Sequence, residues 1–95
     1  MIIDIIPEER LRWARRRFAR KLAAAIIHTM AETDYNFTQI AARIGRTEKE
    51  ISSAVYRLLD GDGSCMMMDF VSDIFLAMGC ELDWSVKPIP EMTPE

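Results

Sequence analysis

The sequence predicts a mainly α fold of four to five helices, with a long helix near the N terminus and a short C-terminal β-strand. Apolar residues recur every three to four positions from residue 8 to residue 79, which is the period of a helix. After Gly79 the period changes to two, which is typical of a half-buried strand. Glycines and polar capping residues separate the helical segments.

The composition favours one cytoplasmic globular domain. The 95 residues are 49% hydrophobic and 28% charged, and no apolar run is long enough to cross a bilayer. The N-terminal residues are too few and too acidic for a signal peptide, so we expect no membrane association and reduced thiols at Cys65 and Cys80. The predicted divisions are an arm or short strand over 1–7, a helical domain over 8–79, a strand over 80–87 and a flexible proline-rich tail over 88–95.

The charge is divided unevenly along the chain. The net charge of −3 combines +4 over residues 1–58 with −7 over residues 59–95. This asymmetry would orient the molecule in the field of a polyanion, with its basic part towards the phosphates.

The residue types argue against an enzyme. The cysteines and the single histidine, His28, lack the spacing of metal ligands. The chain contains no phosphate-binding glycine motif and no activated nucleophile. We therefore predict no catalytic residues, no metal and no cofactor.

A long helix is predicted to begin after Pro7. Proline's fixed φ suits a first turn, and Glu8 and Glu9 complement the positive end of the helix dipole. The pattern continues to about Thr33, so the segment is either one helix or two helices joined at a kink. The residues predicted to face the core are Leu11, Ala14, Phe18, Leu22, Ala25, Ile26 and Met30.

Two shorter helices are predicted around a tight turn at Gly45, a residue that suits the left-handed conformation at a helix end. Asn36 can cap the first helix, with Gln39 as its partner three residues later. Thr47 and Glu50 have the same spacing at the start of the second helix. The apolar stripes of the two helices comprise Phe37, Ile40, Ala41, Ile44, Ile51, Ala54, Val55, Leu58 and Leu59.

A last helix is predicted over residues 66–78. Residues 60–64 before it form a turn-like cluster of Asp, Gly and Ser, and Gly79 ends the helical pattern. The residues predicted to face inward are Met67, Phe70, Val71, Ile74 and Phe75.

The chain resembles the helix-turn-helix of the lambda-repressor-like (Xre/Cro) family over residues 36–61, NFTQIAARIGRTEKEISSAVYRLLDG. In that family a polar cap, a small alanine, a turn glycine and a second polar cap recur at fixed spacing. The matching residues here are Asn36, Ala41, Gly45 and Thr47. The downstream residues 66–86 are similar to the next helix of the family and to the extended segment found in its antitoxin-like members. The segment between Gly45 and Gly61 is some four residues longer than the family pattern, which is close to one helical turn.

The resemblance implies sequence-specific binding of double-stranded DNA by a transcriptional regulator, in the simplest case an antitoxin-like repressor of its own promoter. The second helix of the motif would enter the major groove. Basic side chains suit phosphates and guanine edges, and hydroxyl groups suit phosphate oxygens. The candidate DNA-binding residues are Gln39, Arg43, Arg46, Thr47, Lys49, Ser52, Ser53, Tyr56 and Arg57.

An arginine-rich segment precedes this motif, with seven cations between Arg10 and Lys21. These cations form either a solvated helix surface or a patch that follows phosphates and gives the affinity a steep salt dependence. The candidate phosphate contacts are Arg12, Arg15, Arg16 and Arg20.

A homodimer is expected, because a single strand leaves its backbone groups unpaired and operator-binding proteins usually read two half-sites. The candidate interface residues are Ile3, Ile5, Leu82, Trp84 and Val86. One alternative function is a protein-interaction module that uses the same scaffold without an operator, with a partner such as a toxin. A further alternative is RNA or nonspecific nucleic-acid binding through the arginine-rich helix.

Overall fold

The structure, a computed structural model, describes residues 4–88 and confirms a mainly α fold. Its helices in that range are α1 (Glu8–Thr33), α2 (Phe37–Ile44), α3 (Glu48–Leu59) and α4 (Met68–Ala77). The long N-terminal segment is thus one continuous helix. Residues 1–3 of the predicted arm, with the candidate interface residue Ile3, and residues 89–95 of the predicted tail lie outside the described residues.

The ends of α2 and α3 follow their capping signals. The Gln39 N–H donates to Asn36 Oδ1 at 2.8 Å, and Gln39 Oε1 accepts from the Asn36 N–H at 2.8 Å. Thr47 and Glu50 form the same reciprocal pair, at 3.1 and 3.2 Å. Gly45 ends α2 with φ of 70°, a conformation that costs other residues about 1 to 2 kcal/mol. These local contacts fix the start of α3 relative to the end of α2.

One hydrophobic core joins the helices. α3 packs against both α1 and α2, and α4 packs against α2. The buried residues are Ala19, Ala23, Ile26, Ile40, Ala41, Ile51, Ala54, Val55, Leu58, Phe70, Ile74, Phe75, Ala77 and Met78. Within the described range, no helix combines the length and apolar character needed to cross a membrane.

Several apolar residues predicted to face inward lie at the surface. Phe18 is 60% exposed because it precedes the buried part of α1, which begins at Ala19. Met67 is 74% exposed because α4 begins only at Met68 and ends at Ala77, so it is shorter than the predicted 66–78. Ala14 and Leu59 are exposed as well. The helical period predicted the buried side of each helix correctly for most side chains. It did not show where the neighbouring helix that covers that side ends.

The strand predicted over residues 80–87 is not formed, and residues 4–88 contain no strand. A strand needs a neighbour to pair its backbone groups. Ile5 is 91% exposed and Val86 is 97% exposed, so no residue of the described range 4–88 covers these two positions. Of the candidate interface residues within the described range 4–88, Leu82 is half-buried and packs against the core, whereas Ile5, Trp84 and Val86 are exposed.

Candidate nucleic-acid interface

α3 carries a polar face on the side opposite its buried residues. Lys49, Ser52, Ser53 and Tyr56 are separated by three, four and seven positions, which places them on one side of a helix. We call these four residues the α3 outer face. Lys49, Ser53 and Tyr56 are exposed and Ser52 is partly buried, so the face is open to a ligand.

Two features of the α3 outer face bear on ligand binding: the charge of Lys49 and the ring contact of Tyr56. Lys49 forms no salt bridge with any residue in the range 4–88, so its ammonium group is free to meet an anion. The Tyr56 ring meets Phe37 of α2 edge to face, with ring centroids 6.0 Å apart. This contact orients the exposed Tyr56 side chain and couples α3 to α2.

Two of the other predicted DNA contacts serve as caps. The Gln39 carbonyl oxygen binds the Asn36 backbone, and the Thr47 hydroxyl accepts from the Glu50 N–H. Their side chains therefore hold the helix ends in place. Only the remaining donors of Gln39 are free to contact a ligand directly.

Arg46 connects the start of α3 to α4. Its Nη1 donates to Glu50 Oε2 at 3.2 Å, and its guanidinium carbon lies 4.4 Å from the centroid of the Phe70 ring. The backbone N–H of Thr47, then the Thr47 hydroxyl and Arg46, hold the pKa of Glu50 below its ordinary value. Glu50 is thus a capping residue with a cationic partner.

Arg57 is directed towards the turn after α3. Its Nε and Nη2 donate to Asp62 Oδ2 at 3.1 and 2.7 Å, and its Nη1 lies 2.6 Å from Cys65 Sγ. Hydrogen bonds from Ser64, and then from Arg57, hold the pKa of Asp62 well below its ordinary value. The side chain therefore braces residues 60–65 and does not extend the α3 outer face.

Arg43 lies at the end of α2 and is exposed. Its Nη1 donates to the Tyr35 hydroxyl at 3.0 Å, and its guanidinium lies 5.8 Å from the centroid of the Tyr35 ring. Its other donors stay available at the edge of the α2–turn–α3 unit, where a backbone contact to DNA is predicted.

Six of the seven cations of residues 10–21 form two groups, and the seventh, Lys21, borders the same groove as Arg17 and Arg20. Arg12, Arg15 and Arg16 border an open groove between α1 and the turn at residues 61–64. Arg15 in this group pairs with Glu8 at 3.1 Å. The other group surrounds Trp13, because the guanidinium groups of Arg10 and Arg17 lie 5.1 and 5.3 Å from its ring centroid. We call the second group the outer basic stripe, and its residues are Arg10, Trp13, Arg17 and Arg20.

Sequence reasoning missed several residues of this surface. Arg10 and Arg17 are absent from the predicted phosphate contacts, although their spacing of three and four residues from Trp13 could have indicated the stack. Arg57 meets Asp62, and Arg46 meets Phe70, only in the folded structure. No local sequence pattern predicts these two contacts.

Comparison of the chain with protein-family models, with curated proteins and with solved structures finds no match. A function therefore rests on the chemistry and geometry of the chain's own residues, because a fold alone does not define an activity.

Proposed function

We propose that the protein is a cytoplasmic, sequence-specific DNA-binding regulator of transcription that acts through α2, the Gly45 turn and α3. The α3 outer face is the observation that carries this proposal. It presents an ammonium group and three hydroxyl groups opposite a fully buried stripe, and these groups can meet phosphates and base edges. Two reciprocal capping pairs and the Tyr56–Phe37 contact hold the face on rigid elements, which supports binding in one geometry.

Repression of its own promoter, in the manner of an antitoxin, is the form of regulation to test first. In this proposal the functional unit is a homodimer in which residues 4–6 and the alternating segment 80–86 pair as strands between two copies. Their exposed residues Ile5, Trp84 and Val86 supply apolar surface for such pairing. Sedimentation equilibrium is expected to give twice the chain mass, and a monomer at every concentration would exclude this assembly.

Lys49→Ala is expected to weaken binding to the preferred duplex by a factor of about 5 to 100, because it removes the cation of the α3 outer face. Fluorescence anisotropy with DNA from upstream of the protein's own gene, and with duplexes selected from a random pool, measures the affinity. Excess unrelated DNA in each titration isolates the specific component.

The matched control is Lys87→Ala, which removes the same charge from the exposed C-terminal segment. We expect its affinity to equal that of the wild type. Equal affinities of Lys49→Ala and Lys87→Ala would contradict the assignment of the α3 outer face. Arg57 is a less suitable target, since its replacement would also release the turn held by Asp62.

A complete lack of duplex binding would favour a protein-interaction module. One observation supports that second candidate: Met67, Met68 and Leu76 are 74%, 83% and 68% exposed around α4. Apolar side chains of this size supply surface that a protein contact would bury. A protein partner, such as a toxin, would cover them.

A further inference from the structure

The N-terminal part of α1 extends beyond the rest of the helical core. A methyl group at Gly61, in the turn after α3, would lie 3.1 Å from Arg16 Cβ, and one at Gly63 would lie 3.8 Å from Ala19 Cβ. The end of α3 therefore reaches α1 at residues 16–19. No residue between Glu8 and Phe18 is buried, so α1 projects by about 12 Å, at 1.5 Å per residue, past the point where α3 ends.

The projecting part of α1 and the helical turn that follows it carry cations with few acidic partners. Arg15 alone among the seven cations of residues 10–21 forms a salt bridge within the described range 4–88. The members of the outer basic stripe follow one another at spacings of three and four residues and lie on the side of α1 away from the buried Ala19 and Ala23. Their charge is therefore directed to solvent.

Trp13 organises this stripe. The guanidinium groups of Arg10 and Arg17 lie over its ring at 5.1 and 5.3 Å, from positions three residues before and four residues after it. Stacking holds each planar guanidinium in place while its N–H donors stay free to bind an oxyanion. The ring contacts the two cations, so the stripe presents charge to a partner rather than apolar surface.

We infer that the outer basic stripe binds the phosphate backbone of duplex DNA. This inference rests on the proposed function, and it adds a second contact that does not depend on base sequence. A line of fixed cations suits the regular line of phosphates along a strand, which carries one negative charge for about every 3.4 Å of the duplex axis. A protein interface usually has an apolar centre as well as a charged rim, and the guanidinium-stacked Trp13 offers little apolar surface for one.

The salt dependence of DNA affinity tests the inference. The triple variant Arg10→Gln, Arg17→Gln, Arg20→Gln removes the charge of the stripe, and Arg10→Lys, Arg17→Lys, Arg20→Lys keeps it. Glutamine and lysine are good helix formers, so α1 is expected to stay helical, and circular dichroism checks this. Affinity is measured by anisotropy on the same duplex at several salt concentrations between about 50 and 200 mM.

We expect the slope of log affinity against log salt to become shallower by about 2 to 3 in the glutamine variant, since each lost phosphate contact contributes about 0.9. The lysine variant is expected to keep the wild-type slope. The ratio of affinities for the preferred and a scrambled duplex is expected to stay the same in both variants, because phosphate contacts carry no sequence information. Arg17→Gln and Lys87→Gln form a matched single-charge pair, of which only the first should change the slope.

The outcomes separate the two proposals. If the glutamine variant is folded and keeps the wild-type slope, the inference is overturned. A loss of affinity in Lys49→Ala would in that case still support the α3 site. A shallower slope in the glutamine variant, with no effect of Lys49→Ala, overturns the proposed function and leaves a nonspecific DNA-binding helix. A glutamine variant that keeps the wild-type slope but loses its dimeric mass overturns the inference and assigns the stripe to a protein contact.

Discussion

Ile51→Ala is expected to lower the free energy of unfolding by about 3 kcal/mol, the middle of the range for such a change in a core. The Ile51 side chain has no exposed surface and belongs to the cluster that joins the helices. Its truncation removes apolar contacts of α3 and leaves a cavity that the neighbouring side chains fill only in part. A domain of this size is stable by only about 5 to 15 kcal/mol, so the loss is a large fraction of its stability. Urea denaturation followed by circular dichroism measures the change.

Ile27→Ala is the matched control, because it is the same chemical change at a position on α1 that is 41% exposed. We expect a cost below about 1 kcal/mol there, as for most surface substitutions. Similar losses in the two variants would contradict the position of α3 in the core. A cost at Ile51 accompanied by a smaller m value would indicate a change in the compactness of the unfolded or folded state instead.

The sequence was sufficient to predict those parts of the fold that depend on near neighbours. The N-terminal ends of α2 and α3 follow from capping residues placed three positions apart, and the structure contains each of the predicted pairs. The burial of Ile40, Ile51 and Leu58 follows from the helical period. Contacts between residues within one or two helical turns determine these features, so a single sequence is enough to predict them.

Features that depend on distant neighbours could not be predicted in the same way. Phe18 continues the apolar pattern of α1, but its exposure depends on where α3 ends. Arg57 has the residue type and helical position of a DNA contact, yet Asp62 attracts its side chain to the following turn. The period of two after Gly79 indicates a strand, but a strand also needs a partner, which residues 4–88 of one chain do not supply.

The Lys49 assignment shows how the site prediction changed. Nine residues were candidates from their type and position, and the structure gives five of them other partners or places them at the margin of the site. The four that stay together on the α3 outer face do so because their spacing is helical. The sequence defined the helix that carries these four residues, and the side-chain partners seen in the structure separated them from the other five candidates.

Ala41→Leu is expected to lower the free energy of unfolding by about 1 to 3 kcal/mol, the cost of overpacking a filled core. Ala41 is 2% exposed on α2, and Ala54 on α3 is 4% exposed. Since α2 and α3 pack closely, three additional carbons must displace one helix relative to the other. The displacement also moves the α3 outer face, so we expect specific DNA affinity to fall in a variant that is still folded at the assay temperature.

The next residue supplies the control, because Ala42 is exposed and Ala42→Leu adds the same atoms to the surface of α2. We expect this variant to keep both its stability and its DNA affinity. Thermal unfolding and anisotropy titrations on the two variants separate packing from binding. If Ala41→Leu lost stability but kept specific affinity, the α2–α3 geometry would not determine DNA recognition, and the contact surface would have to lie elsewhere, with the outer basic stripe of α1 as the next surface to examine.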